Sequence, residues 1–230
     1  MARRTHELPP ERKIGPVLDA LEVAYGRPRW RKGEEPLAVL VRGVLSQNTS
    51  DVNSGRAFDE LMSKFANWEA VAAAPVLRVA HAIRTGGLAE QKAATIKAVL
   101  KWLGGKGGYS LDFLRELDSD RAERELTAIK GVGIKTARLT LLFGLGWPVF
   151  VVDTHVLRVS RRLGLVPERC GREKAHVLLD PLVPDGRKYS GHLNIIAHGR
   201  RVCHARSPRC SGCCVRPWCR HVLDGAPTSS

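Results

Sequence analysis

Ile129-Lys130-Gly131-Val132-Gly133-Ile134-Lys135-Thr136-Ala137 ends one helix and begins another within a few residues. Upstream, Ser119 or Asp120 can cap a helix that carries Leu126 and Ile129 on one face, and Gly131 stops it. Downstream, an apolar helical pattern runs from Ile134 to about Phe143. Gly131 and Gly133 permit a tight turn and the close approach of another backbone. Amides at the start of the second helix would point outward, where an anion such as a DNA phosphate binds. A bare Gly-Val-Gly is also an ordinary helix–helix turn. A nucleotide-binding P-loop is excluded, because Ile134 separates the last glycine from Lys135 and a helix, not a strand, precedes the turn.

Helical periodicity extends in both directions from this turn. Ile14, Val17, Leu18 and Leu21 fall on one face. Leu37, Leu40, Val41, Val44 and Leu45 repeat the pattern behind Pro36, a residue suited to a first helical turn. Ser50 or Asp51 can cap a helix with Phe58, Leu61, Met62 and Phe65; Pro75 opens another with Val76, Val79 and Ile83, stopped at Gly86-Gly87. Ile96, Val99, Leu100 and Leu103 mark the next, ended by Gly104-Gly105. Val149–Val152 is a lone β-branched run, too little for a sheet of its own. The pattern predicts an all-α protein with a boundary near Trp147-Pro148 and a flexible tail over 221–230.

The net charge of +14 is unevenly placed: residues 158–220 carry fourteen Lys/Arg against four acids. Such a basic field attracts a polyanion, with nucleic acid favoured over a membrane surface or a merely solvated face. The start, Met-Ala-Arg-Arg-Thr-His, has no apolar export segment, and Leu139–Val152 is short and broken by Gly144, Gly146 and Pro148. A cytoplasmic location follows as the expectation, nucleoid-associated in a bacterium, with six reduced cysteines.

Four of these, Cys203, Cys210, Cys213 and Cys219, form C-x6-C-x2-C-x5-C. Thiolates this dense can wrap one compact centre, either iron–sulfur or a tetrahedral zinc. Cys214 and Cys170 read as ordinary buried thiols. Arg206 and Arg209 lie in the loop between the first two cysteines, and no acid occurs from Gly199 to Arg220. Arginines on a tethered loop suit phosphate binding, although they also serve solubility.

Two residues point to chemistry. Lys135 sits one residue into the second helix of the turn, where the helix dipole and neighbouring cations favour the uncharged, nucleophilic amine. Asp153 follows the apolar run Val149-Phe150-Val151-Val152. A carboxylate ending a buried segment is costly unless it caps a helix, performs chemistry, or does both.

Together Gly131-Val132-Gly133-Ile134-Lys135-Thr136-Ala137, Val152-Asp153-Thr154-His155-Val156 and the cysteine box resemble the endonuclease III family of helix-hairpin-helix DNA glycosylases. Leu45-Ser46-Gln47-Asn48-Thr49-Ser50-Asp51 is similar to the family's first active-site loop, and the likeness runs from about Leu37 to Cys219. The resemblance implies a six-helix barrel domain over 36–147, and a second domain from 1–35 and 148–220 that carries a 4Fe-4S cluster rather than zinc. The substrate groove would lie between them. It implies a monomer acting on double-stranded DNA with damaged bases or abasic sites, and no membrane role. It further implies a bifunctional glycosylase and AP lyase for oxidised pyrimidines. Lys135 would be the nucleophile at the sugar and Asp153 its partner. Gln47 or Asn48 would fill the hole left by the flipped nucleotide, Leu88 would be a wedge, and His155 would line the groove. DNA contacts would also come from Gly131, Gly133, Arg206 and Arg209.

The chain departs from the family pattern in three places. Ile129-Lys130-Gly131 replaces the common Leu-Pro-Gly, Gln47 sits one position early with Asn48 at the usual place, and Glu90 puts a negative charge beside the wedge. A mismatch-specific thymine glycosylase shares most of these features. A non-catalytic zinc or iron–sulfur DNA-binding protein would explain the charge and cysteines but would leave Lys135 and Asp153 without a task.

Overall fold

The computed structural model describes residues 8–223. In chain order the α-helices are α1 (Pro10–Tyr25), α2 (Pro36–Leu45), α3 (Asp51–Lys64), α4 (Trp68–Ala73), α5 (Val76–Ala82), α6 (Ala89–Gly104), α7 (Ser119–Thr127), α8 (Ile134–Leu139), α9 (Thr154–Leu163), α10 (Arg172–Leu179), α11 (Lys188–Arg201) and α12 (Arg220–Leu223). There is no β-strand among the described residues. The chain divides into two units, one formed by Arg31–Trp147 and the other by both flanks of that segment.

The first unit holds α2–α8. Leu37, Leu40, Val41, Val44 and Leu45 of α2 are fully buried, so the face predicted from their spacing is the core face. Each such side chain contributes about 1.5–3 kcal/mol of transfer free energy. Ser50 caps α3 through the Asn53 N–H. The cap of α7 lies one residue upstream of the two candidates: the Asp118 carboxylate accepts the Arg121 N–H at 2.7 Å. Periodicity missed α4 altogether, because six residues are too few to show a face. Its signal was Asn67, which caps it at 2.9 Å through Ala70, with Trp68 buried behind. Helix α8 passes into a π-helical turn, Thr140–Gly144, and that turn packs closely on α2: a Cβ at Gly144 would stand 2.9 Å from the Pro36 Cα.

In the second unit α1 packs on α11, joining the two ends of the chain around Leu18, Leu21, Phe150, Val152 and Val159. Residues 221–223 belong to α12, so the expected flexible tail does not begin at 221; the rest of it, like the leading residues, lies outside the described residues. No helix of the described residues is long and apolar enough to cross a membrane.

The run Val149–Val152 crosses this unit buried and extended, with side chains in place of a partner strand. Lys188 Nζ donates to the Pro148 carbonyl at 2.8 Å, and Asp180 Oδ1 accepts the Phe150 N–H at 2.5 Å. His192 Nδ1 donates to the Val151 carbonyl at 3.0 Å. His176 Nε2 accepts the Val152 N–H at 3.0 Å, while its Nδ1 donates to the Arg172 carbonyl at 3.0 Å. These partners set the tautomer of His176: hydrogen on Nδ1, lone pair on Nε2. His176→Leu should therefore leave the Val152 N–H buried and unpaired, lowering stability by about 1–3 kcal/mol in urea titrations. An unchanged unfolding midpoint would rule out this account of the segment.

Candidate active site

Within the first unit, α7, a turn and α8 form a helix-hairpin-helix. Gly131 adopts φ +92°, a left-handed conformation that costs a side-chain-bearing residue. The space is also closed: a Cβ there would fall inside van der Waals contact of the Thr95 hydroxyl and 2.8 Å from its Cγ2. The Gln47 amide donates to the Gly131 carbonyl at 3.2 Å and to the Thr136 hydroxyl at 3.3 Å. The first loop is thus tied to the hairpin. Gly43 admits Thr136, whose Cγ2 lies 3.0 Å from a Cβ built there. Arg138 pairs with Glu123 at 2.5 Å, bracing α8 against α7. Lys135 emerges half-buried on the first turn of α8, and Gly131 and Gly133 are exposed.

Two loop tips in the same unit carry side chains on left-handed backbone. Asn48 has φ +51° and is exposed, while Gln47 is turned inward to the hairpin. Leu88 has φ +48°, is 53% exposed and precedes α6. Left-handed backbone is uncommon for a residue with a side chain as large as leucine's.

The second unit contributes Asp153. Its Oδ1 accepts the Val156 N–H at 2.7 Å, capping α9, and the residue is buried at 9% exposure. Its other oxygen, Oδ2, takes no hydrogen bond from the described residues, so capping leaves half of the carboxylate available. His155 accepts from Arg158 Nη2 on Nδ1 at 3.0 Å, which places any neutral-ring proton on Nε2. Burial pushes the His155 ring below the ordinary histidine range, with the Asp153 charge opposing that shift.

The four box cysteines line one small cavity of about 20 Å³, together with Arg162, His198 and Val159. Arg162 donates to the Cys203 sulfur at 3.2 Å, and His198 Nε2 lies 3.5 Å from the Cys213 sulfur. As free thiols these groups are disfavoured as anions: burial pushes Cys213 up to about 12 and raises Cys210 and Cys219. A positively charged centre reverses that preference. Among the described residues no group of three or more His, Cys, Asp or Glu is arranged to hold a single metal ion. Cys170 is buried and Cys214 half-buried; neither lines the cavity. Arg206 and Arg209 are both exposed in the loop between Cys203 and Cys210.

Sequence reasoning missed Arg158 and Arg162, one turn apart on α9. Arg158 donates to the carbonyls of Cys203 (3.0 Å) and Gly199 (2.8 Å). Arg162 donates to those of His204 (2.6 Å) and Ala205 (3.0 Å). Their i, i+4 spacing after Asp153 was the available signal, but in a chain this basic it reads as surface charge. Gly199 permits the crossing, since a Cβ there would meet His155 and Arg158 at 3.1 Å.

Residues 41–184 match the HhH-GPD superfamily of base excision DNA repair proteins, and this chain belongs to that family. It is 33% identical to endonuclease III of Thermotoga maritima over 201 residues, covering 87% of this chain and 90% of that protein. With endonuclease III of Escherichia coli the identity is 34% over 81% of this chain and 84% of the relative. It is 40% identical over 168 residues to a protein of Arabidopsis thaliana, spanning only 57% of that relative's length. Among solved structures, a non-covalent endonuclease III–DNA complex superposes with TM-score 0.79 at 27% identity, covering 94% and 97% of the two chains.

Gly131→Ala should destabilise the first unit by about 2–4 kcal/mol, combining left-handed strain with overpacking. Thr95→Ala in the same chain should recover part of the loss. Strict additivity in this double-mutant cycle would show that the hairpin does not rest on Thr95.

Proposed function

We propose that this base excision repair DNA glycosylase of the endonuclease III kind is bifunctional, removing oxidised pyrimidines through Lys135 and then nicking the strand. The observation that carries the reading is Asp153: a buried carboxylate with Oδ1 spent on capping α9 and Oδ2 left over, in a chain whose hairpin presents a lysine amine. The damaged pyrimidine is extruded from the duplex at a cost of a few kcal/mol, least for damaged pairs. Asp153 accepts a proton from the Lys135 ammonium. The amine attacks the sugar C1′, and the bond from C1′ to the base breaks, with its electron pair leaving on the base. The Asp153 charge also stabilises positive charge on the sugar ring. Ring opening gives an imine between Lys135 and C1′. Loss of a C2′ proton then expels the 3′ phosphate and cuts the strand on the 3′ side of the lesion. The reading requires both side chains to act on one deoxyribose.

Asn48 is the better candidate for filling the vacated space, because Gln47 braces the hairpin while Asn48 is exposed at the loop tip. Leu88 serves as the wedge, and Arg206 and Arg209 contact phosphate. His155 lines the site beside Asp153.

Cys203, Cys210, Cys213 and Cys219 would hold a 4Fe-4S cluster: the donor set is all sulfur, the four side chains line one cavity, and no three of the groups are arranged around a single metal ion among the described residues. When bound, the cationic core would keep the four thiols deprotonated, and Cys203, Cys210, Cys213 and Cys219 would become four anchors that set the shape of the 203–219 segment. The duplex substrate, the monomeric state and an intracellular site of action complete the proposal.

Borohydride should trap a covalent adduct between this protein and a thymine-glycol or abasic duplex, and Lys135→Gln should abolish it. Asp153→Asn should slow formation by about 10²–10⁴-fold, the range for lost acid–base assistance. An undiminished adduct in Lys135→Gln rejects the nucleophile; no adduct from the native protein leaves a binding module. The purified protein should be yellow-brown and carry iron with acid-labile sulfide, and chelation should loosen the 203–219 segment in hydrogen exchange. Zinc in a colourless preparation would replace the cluster assignment.

A further inference from the structure

We propose that Lys92 is a positioning residue that holds the two DNA-probing tips, Asn48 and Leu88, in register with each other. The proposal rests on the reading of those tips given above.

Lys92 lies on α6 and is 2% exposed. Its Nζ donates to the Leu45 carbonyl at 2.7 Å and to the Gly86 carbonyl at 2.8 Å. Both acceptors close helical segments: Leu45 ends α2, and Gly86 ends the 3₁₀ turn Arg84–Gly86. Terminal carbonyls lack intrahelical partners and carry the negative end of the helix dipole, so one ammonium satisfies two such ends at once. Both of its side-chain partners are backbone carbonyls, with no acid bonded to its ammonium among the described residues. Burial lowers its proton affinity, consistent with a site that tolerates the charge only for the sake of those two bonds.

What these carbonyls support is specific. Asn48 follows Leu45 by three residues and Leu88 follows Gly86 by two. The described residues contain three non-glycine positions with positive φ, and these are two of them; Ser207 is the third. Left-handed backbone at such residues persists only where the surroundings over-determine it. Lys92's side chain supplies part of that determination, beside the ordinary first bond of α6, in which its N–H donates to the Leu88 carbonyl at 3.0 Å. Side chain and main chain of one residue thus close the turn around Leu88, while the same ammonium anchors the exit of α2 that leads to Asn48. An apolar residue would fill this volume equally well but could not tie the two loops together.

Lys92→Met tests the idea, since it keeps length and removes the donors. Three readouts are compared with the native protein: borohydride trapping on a single-stranded abasic oligonucleotide, single-turnover excision from a thymine-glycol duplex, and fluorescence of 2-aminopurine placed opposite the lesion. Single-strand trapping needs neither wedge nor void filler, so it should stay near the native rate. Duplex excision should fall at least about tenfold, as expected for displaced positioning groups, and the 2-aminopurine change should shrink with it. Native-like duplex excision, or an equal fall in single-strand trapping, would overturn the proposal. If Lys92→Met does not fold, Lys92→Gln replaces it: a neutral amide keeps hydrogen-bonding capacity in the site but is one methylene too short to reach both carbonyls as the ammonium does, and the same split between substrates is required. The fluorescence reports tip insertion without chemistry. If even the native protein gives no adduct, the functional reading fails, and Lys92 is still judged by whether its substitution diminishes the fluorescence change.

Discussion

Four apolar residues, Val149–Val152, run extended and buried through the second unit, and their peptide groups must find partners without a sheet. An unpaired buried amide or carbonyl costs about 1–3 kcal/mol, so this segment could not persist without the Lys188, Asp180, His192 and His176 side chains that serve it. Those partners come from α10 and α11 and from the turn after α10. The segment therefore locks the helices of its unit to one another. It also delivers Asp153 to the N-terminus of α9, where its Oδ1 caps the helix through the Val156 N–H, with little freedom left in the approach.

Helix α9 then carries that placement onward. One turn from Asp153, Arg158 binds the Gly199 and Cys203 carbonyls; a turn later Arg162 reaches the Cys203 sulfur and the next two carbonyls. The first cysteine of the box is latched to the helix that the aspartate caps. Arginine suits the task because its planar fork meets several acceptors at once, with little further ordering. The absence of acids from Gly199 to Arg220 matters here too, since a nearby carboxylate would compete for both guanidinium groups.

Much of this architecture could be read from residue order, and the limits have physical causes. Apolar spacing found α1, α2, α3 and α6 because their buried faces repeat over ten residues or more. The hairpin was legible because Gly131 and Gly133 interrupt that spacing. The cap of α7 was misplaced because Asp118, Ser119 and Asp120 are all capping types in succession, and only geometry selects the first. Lys92, His176 and His192 were invisible as structural groups. Each has a partner far along the chain, 47, 24 and 41 residues away, and nothing in local pattern announces a buried lysine that serves two carbonyls. Gln47 illustrates the same limit at the site itself: its adjacency to Asn48 could not reveal that one side chain faces the hairpin and the other the solvent.

The two left-handed tips show why local economy is not the rule at such places. Glycine at position 88 would remove a conformational cost of about 1–2 kcal/mol. It would also remove the only apolar surface the turn presents and add backbone freedom that must be lost again on binding. Leu88 accepts the strain at the start of α6, where the Lys92 N–H and ammonium hold the turn closed. Asn48 bears it more easily, since short polar side chains tolerate left-handed backbone. A tip that is stiff beforehand gains in any binding event, because a mobile one would spend binding energy on its own ordering. The strain is therefore borne by the free protein, and rigid helices on either side keep it there.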